Sequence, residues 1–241
     1  MRRTYAKALI LGLASVILSA CDIEIVPVDS QPTQTSAPSS SRAVTSRSSM
    51  RSFAEVQRRV EPVAEQMCRA NTRGVNCDFR IIVDDRANQP PNAFQTLDEN
   101  KRPIIGFTAS LIEDTRNQDE LAFIMGHEAA HHIQGHIAQS QQSALEGAVA
   151  ATILAQILGA SAANTELAQR AGATVNARRF SKEFELEADS LGTVIAARAG
   201  YNPVRGAEYF NRIPDPGNQF LGTHPPNAER IQVVRRTAAR L

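Results

Sequence analysis

The run HEAAHHIQGH at residues 127–136 carries four of the five histidines of this chain, and it constrains the fold more than any other stretch. His127 and His131 are one turn apart on an α-helix and project from the same side. Two imidazole nitrogens at that spacing can hold one Zn²⁺ at ~2.0–2.1 Å. Glu128 falls about 100° round the same helix, beside such an ion rather than on it. A carboxylate there is placed to take a proton from an attacking water, the task of a general base. The H-E-x-x-H pattern supports that chemistry when it lies on a helix. Here Asn117 stands just ahead of LAFIMGHEAAHH with Glu120 three residues on, approximating a capping box that opens one. His132 and His136 repeat the same spacing, but no glutamate follows His132. His136 is read as a residue that supports a ligand or packs.

Catalytic zinc commonly takes three protein ligands and keeps a further position open. The metzincin extension H-E-x-x-H-x-x-G-x-x-H is absent: Gln134 stands where its glycine is required and Ile137 where its histidine is required. The third ligand must then be an acid further along. Glu146, Glu166, Glu183, Glu185 and Glu187 are all candidates, and spacing does not choose among them.

The chain begins with Arg2, Arg3 and Lys7 ahead of the apolar ALILGLASVI and then LSAC, the pattern of a leader too short to span a bilayer. The LSAC end resembles the lipobox of bacterial lipoproteins, which implies a signal peptide over residues 1–20 and a lipidated Cys21. Removing residues 1–20 leaves 23 basic against 25 acidic side chains, a near-neutral balance that argues against a nucleic-acid partner. From residue 21 to 50 the composition is rich in Ser, Thr, Pro and Gln, as in SQPTQTSAPSSS. Such a stretch buries too little apolar surface to offset its ordering entropy and reads as a tether. Residues 51–241 then form one domain, with the ordinary hydrophobic share of 42% for the whole chain. Cys68 and Cys77 flank RANTRGVN; in an exported chain they are expected to form a disulfide contributing about 2–3 kcal/mol.

Within that domain SFAEVQRRVEPVAEQMCRA has apolar residues at helical spacing, with a kink expected at Pro62. FRIIVDD reads as a strand, and NAFQTL and PIIGFT around DENKR as a hairpin. The stretch over 144–163, ALEGAVAATILAQILGASAA, is interrupted by Glu146 and Gln156 and is expected to be a core or domain-covering helix, the alternative being that it touches the lipid surface. FELEADSLGTVIAARA and NAERIQVVRRTAARL complete the helices.

HEAAHH, EFELEADSLG and THPPNAER together resemble the zinc metallopeptidase family that includes HtpX, BepA, LoiP and the integral-membrane proteases acting on C-a-a-X proteins. The resemblance covers roughly residues 51–241. It implies an α+β fold, a mainly helical zincin-like (gluzincin) domain with a small β-sheet beside the H-E-x-x-H helix. It implies one Zn²⁺ per chain held by His127, His131 and Glu185, with Asp189 hydrogen-bonding a ligating imidazole. Arg230 either pairs with a carboxylate such as Asp189 or caps its own helix. His224 either donates to the oxyanion formed during cleavage or fills the open metal position and keeps the site latent. The strand near Asn92, Ala93 and Phe94 is expected along the cleft edge, where main-chain pairing would hold an extended substrate. The implied activity is a metalloendopeptidase acting on unfolded or misfolded envelope polypeptides, facing the periplasm from a lipid-anchored position. The alternative is a zinc-stabilised chaperone or assembly factor with little proteolysis. The chain has no convincing transmembrane helix of its own, which points to the compact lipoprotein members of the family.

Overall fold

A computed structural model describes residues 45–217 and 224–241, with backbone only at 178–180. The leader, Cys21 and the tether up to residue 44 lie outside the described residues. The first helix, α1, spans Arg47–Asn71, capped by Ser46, whose hydroxyl accepts from the Ser49 amide. Its first turn therefore lies inside the stretch that composition assigns to the tether. Phe53, Val56, Val60, Ala64 and Met67 recur every three or four residues and are buried, which seats one face of α1 on the core. Pro62 lies on the exposed side, and the helix continues past it. There the carbonyl left without an amide partner is open to water.

Three strands form one sheet in the order β1-β3-β2, with β1 at Arg80–Asp84, β2 at Ala93–Leu97 and β3 at Pro103–Thr108. β2 and β3 make the antiparallel hairpin that the sequence predicts, Ala93 opposite Phe107 and Leu97 opposite Pro103. β1 joins the other side of β3 in parallel, Ile81 opposite Ile105. The central strand is the apolar one: Ile105 and Phe107 are buried, and Phe107 meets Phe53 edge-on with ring centroids 5.1 Å apart. β2 is left at the edge of the sheet.

After the short α2 (Ala109–Asp114) comes the central helix α3, Gln118–Ile133. The Asn117 side chain caps it by accepting from the Glu120 amide at 3.1 Å. The reciprocal half of the capping box is displaced by one residue: the Glu120 carboxylate accepts from the Arg116 amide. It is also buried against Arg212, 2.6 Å away, so a residue expected only to cap also anchors the helix to the later part of the chain. The disulfide between Cys68 and Cys77 is present, with Cα atoms 5.7 Å apart, tying the end of α1 to the segment entering β1.

Two expectations need correction at the next helices, α4 (His136–Ile157) and α5 (Ala162–Arg198). The stretch 144–163 is not a core or domain-covering helix: Leu145, Val149, Ile153, Leu154, Ile157 and Leu158 are all exposed. α4 packs chiefly on α5, and it does so through small residues. A Cβ on Gly147 would collide with the Gly172 carbonyl oxygen, so large aliphatic side chains find no room in the crossing and point away from it. α5 in turn begins far ahead of FELEADSLGTVIAARA, its Ser161 cap accepting from the Asn164 amide. Its first half is too poor in large apolar residues to show a helical period. The chain ends through α6 (Pro203–Gly206), a 3₁₀ turn at Ala207–Asn211 and α7 (Asn227–Ala238), which packs on α5. The whole is a mainly helical α+β fold.

Candidate metal centre

α3 and α5 cross where neither carries a side chain. A Cβ on Gly126 would lie 2.8 Å from the Gly192 carbonyl oxygen, and one on Gly192 would lie 2.7 Å from the His127 amide nitrogen. This close approach sets the turn of α3 that holds His127 and His131 against the turn of α5 that holds Glu185 and Asp189. Ala188, wholly buried between those two acids, keeps the approach narrow. The Nε2 atoms of His127 and His131 lie 3.0 Å apart. A Glu185 carboxylate oxygen lies 3.6 Å from His127 Nε2 and the other 3.4 Å from His131 Nε2. Tetrahedral coordination at ~2.0–2.1 Å puts neighbouring ligand atoms roughly 3.3 Å apart, and the three distances bracket that value. The donor set fits a divalent ion, and Glu185 is the acid that converges on the histidine pair.

Behind the donors lies a buried ionic frame. Asp189 Oδ1 is 2.9 Å from His127 Nδ1, so it accepts the Nδ1 proton and leaves Nε2 free to ligate. Arg230 of α7 reaches the same carboxylate with both arms, Nε and Nη2 each donating at 2.7 Å. Its guanidinium lies over the Phe210 ring, 4.1 Å from the centroid, and 3.2 Å from Glu185. Burial alone would push the Asp189 carboxyl up, but the charge and hydrogen bonds of Arg230 hold it low. Burial likewise opposes ionisation of Glu185, and the hydrogen bonds to His131 and His224 outweigh it, keeping the carboxylate charged. On the other imidazole of the pair, His131 Nδ1 is 2.8 Å from His136 Nδ1. His136 stacks on Phe184 with centroids 4.5 Å apart, and burial lowers its pKa to about 4. A neutral His136 can accept from His131 Nδ1–H, so it both packs and orients. His132 turns away: its Nε2 is 2.7 Å from the Asn76 carbonyl oxygen, which removes the His132–His136 pair as a metal site.

Glu128 is buried at 9% exposure, and burial is the main cause that raises its pKa. It stands between two cavities. One of about 610 Å³ is lined by Ala93, Phe123, Tyr209, Phe210, Ile213 and His224, among others. The second, about 420 Å³, includes Gln95, His131, His136 and Phe184 in its wall. β2 thus runs along the cleft, its Ala93 facing one cavity and its Gln95 the other. Of the expected edge residues, Asn92 and Ala93 line the larger cavity. The Phe94 ring instead packs over Gly106 and lines neither, as the two-residue period of a strand requires. The Asn92 backbone is already engaged, its carbonyl accepting from the Thr108 amide at 2.9 Å. His224, about half exposed, has Nδ1 3.2 Å from a Glu185 oxygen.

The sequence profile of peptidase family M48 matches residues 50–238. The chain belongs to peptidase family M48. It is similar to the mitochondrial metalloendopeptidase OMA1 of Arabidopsis thaliana, 28% identical over 54% of this chain and 27% of the relative. The β-barrel assembly-enhancing protease of Yersinia pestis is 26% identical over 70% of this chain and 36% of its own length. The metalloprotease LoiP of Escherichia coli is 30% identical over 51% of this chain and 50% of its own. The chain thus spans half the length or less of these relatives.

Within this M48 site, motif reasoning missed the residues that act by shape. Gly126 and Gly192 stand beside the two motifs, in MGHE and DSLG, and a small residue beside each turn that carries the converging donors is the signal that could have found them. Phe184, Gln95 and the cavity wall from Tyr209 to Ile213 carry no signal of their own. The glycine contact gives a testable expectation. Gly192→Ala is expected to cost about 1–3 kcal/mol of stability, read by urea denaturation. It is also expected to weaken metal binding, because the added methyl drives the Glu185 turn away from the histidines. Wild-type stability and metal affinity in that variant would show that the crossing has slack.

Proposed function

We propose that this M48 chain is a zinc metalloendopeptidase that cleaves unfolded or misassembled polypeptides of the bacterial cell envelope, tethered to a membrane by lipid on Cys21. The observation that carries the reading is the convergence of His127, His131 and Glu185 beside a buried carboxylate that is not part of the donor set. A structural metal site has no need of Glu128. Bound to the three donors, zinc would supply the Lewis acidity that polarises a carbonyl and makes water easier to deprotonate.

The remaining work falls to the chain's own side chains. Glu128 takes the proton of the attacking water and returns it to the leaving amine, and its raised pKa suits both transfers. The free edge of β2 offers main-chain groups to an extended segment, which a folded protein rarely presents. A substrate running antiparallel to β2 would have its N-terminal side at Gln95 and its C-terminal side at Ala93. The larger cavity, with Phe123, Tyr209 and Phe210 in its wall, would then take an apolar side chain following the scissile bond. The disulfide supports an oxidising compartment, as the leader and the Cys21 pattern do.

The deciding experiment incubates purified, metal-quantified protein with an unfolded substrate such as casein, with and without a chelator. Cleavage is expected to stop on chelation and to return on adding Zn²⁺; cleavage indifferent to the chelator overturns the reading. His224 gives a second test. Its contact with Glu185 and its place in the cavity wall suit a hydrogen-bond donor to the developing oxyanion, so His224→Ala is expected to lower kcat by up to about a hundredfold. Thermal stability should change little, because the ring is 53% exposed. A faster enzyme would instead mark His224 as a latch on the site.

A further inference from the structure

The exposed aliphatic side chains of this protein are concentrated on one feature. Among the described residues, the α4–α5 hairpin carries Leu145, Val149, Ile153, Leu154, Ile157, Leu158, Leu167 and Val175. The barest lie at its tip, with Ile157 75% and Leu158 74% exposed. Charge is nearly missing: from residue 137 to 177 the charged residues are Glu146, Glu166 and Arg170, and the last two pair with each other.

The distribution round α4 tells what could cover it. Leu145 and Leu154 are nine residues apart, which at about 100° per residue puts them on opposite sides of the helix. Both are exposed, as are Val149, Ile153 and Ile157 on the arc between them, while the other half of the helix, which carries Gly147 and Ala151, is closed by α5. A flat protein surface touches a narrow stripe of such a helix; a fluid apolar medium covers the whole exposed half. No helix among the described residues is long and apolar enough to cross a membrane, so the hairpin would dip into a bilayer rather than span it. Its near-neutral surface calls for acyl chains rather than for anionic headgroups.

We propose that the tip of the α4–α5 hairpin seats in the headgroup and acyl boundary of a phospholipid bilayer and docks the protease domain on it. The inference rests on the lipid-anchored reading above for the supply of that bilayer. The 24 chain steps from Cys21 to the first described residue, Thr45, cannot extend beyond about 86 Å, so the domain stays within reach of the surface. In this arrangement the lipid holds the chain at the membrane and the hairpin fixes which way the cleft faces.

The test uses the full, processed chain in vesicles of phosphatidylethanolamine and phosphatidylglycerol. With Cys68 and Cys77 bridged and Cys21 lipidated, Ile157→Cys offers one free thiol for a nitrobenzoxadiazole label, and Arg58→Cys on the exposed side of α1 is the control. At residue 157 the emission is expected to shift to the blue and to fall about twofold or more when lipids doxyl-labelled high on the acyl chain are included. The control position should show neither change. An unshifted label at 157 on vesicle-bound protein overturns the proposal. So does a blue shift without doxyl quenching, which would mean that a second copy or a bound polypeptide covers the tip. Label uptake by the unsubstituted chain reports on Cys21 alone, so failure of the anchor and failure of the hairpin are told apart.

Discussion

Glu128→Gln is expected to abolish peptide cleavage while leaving the metal content unchanged. The substitution keeps the volume of the buried side chain and removes its ability to accept and return a proton. Glu128 is not among the converging donors, so zinc affinity should be preserved, which elemental analysis of the purified variant checks. Loss of a positioned general base typically costs ~10²- to 10⁴-fold. The larger figure is expected here because the site offers no substitute: Glu185 is ionised but engaged with His131 and His224, and Asp189 is held by Arg230. Turnover within about tenfold of the unsubstituted enzyme would remove Glu128 from the role. The same variant separates proteolysis from a chaperone role. If it rescues the phenotype of a deletion in full, binding rather than cleavage is what the cell uses.

The readable part of this site consisted of groups whose chemistry forces a spacing. Two imidazoles one turn apart with a carboxylate between them announce a metal helix, and a second acid pair one turn apart on α5 repeats the same geometry. Residue spacing within one helix carries no information about which remote acid meets it, so five glutamates stayed open until the family motif chose Glu185. The close crossing at Gly126 and Gly192 was hidden because a glycine within a helix looks like an absence of signal. The hairpin of β2 and β3 was legible from two apolar runs, whereas the parallel pairing of β1 was not, since nothing local specifies a non-adjacent partner. The hardest stretch was 144–163. Composition rates it the most apolar stretch after residue 20, and burial is the natural inference from apolarity. Here the small residues, Gly147, Ala148, Ala151 and Ala155, face the partner helix, and the large ones are turned outward.

Asp189→Asn should produce the largest loss of stability of any single isosteric change in the site. Asp189 has no solvent exposure, and Arg230 is only 7% exposed. Removing one member of a buried, hydrogen-bonded ion pair leaves the other charge without compensation, at a typical cost of 3–5 kcal/mol. The lower end, about 3 kcal/mol, is expected because Glu185 lies 3.2 Å from the guanidinium and still balances part of its charge. That residual pairing has its own consequence: an Arg230 drawn toward Glu185 competes with metal for the same oxygens, and the His127 Nδ1 proton is left with a neutral amide oxygen, a weaker acceptor than the carboxylate. Metal affinity should therefore fall as well, by roughly 10- to 100-fold. Denaturation of the metal-free protein measures the first effect and competition against a chromophoric chelator the second. If the metal-free variant unfolds at the wild-type urea concentration, the buried pair adds no stability to the fold. If stability falls but affinity does not, then the orientation of His127 depends on its packing against Phe123, with ring centroids 6.4 Å apart, rather than on the Asp189 hydrogen bond.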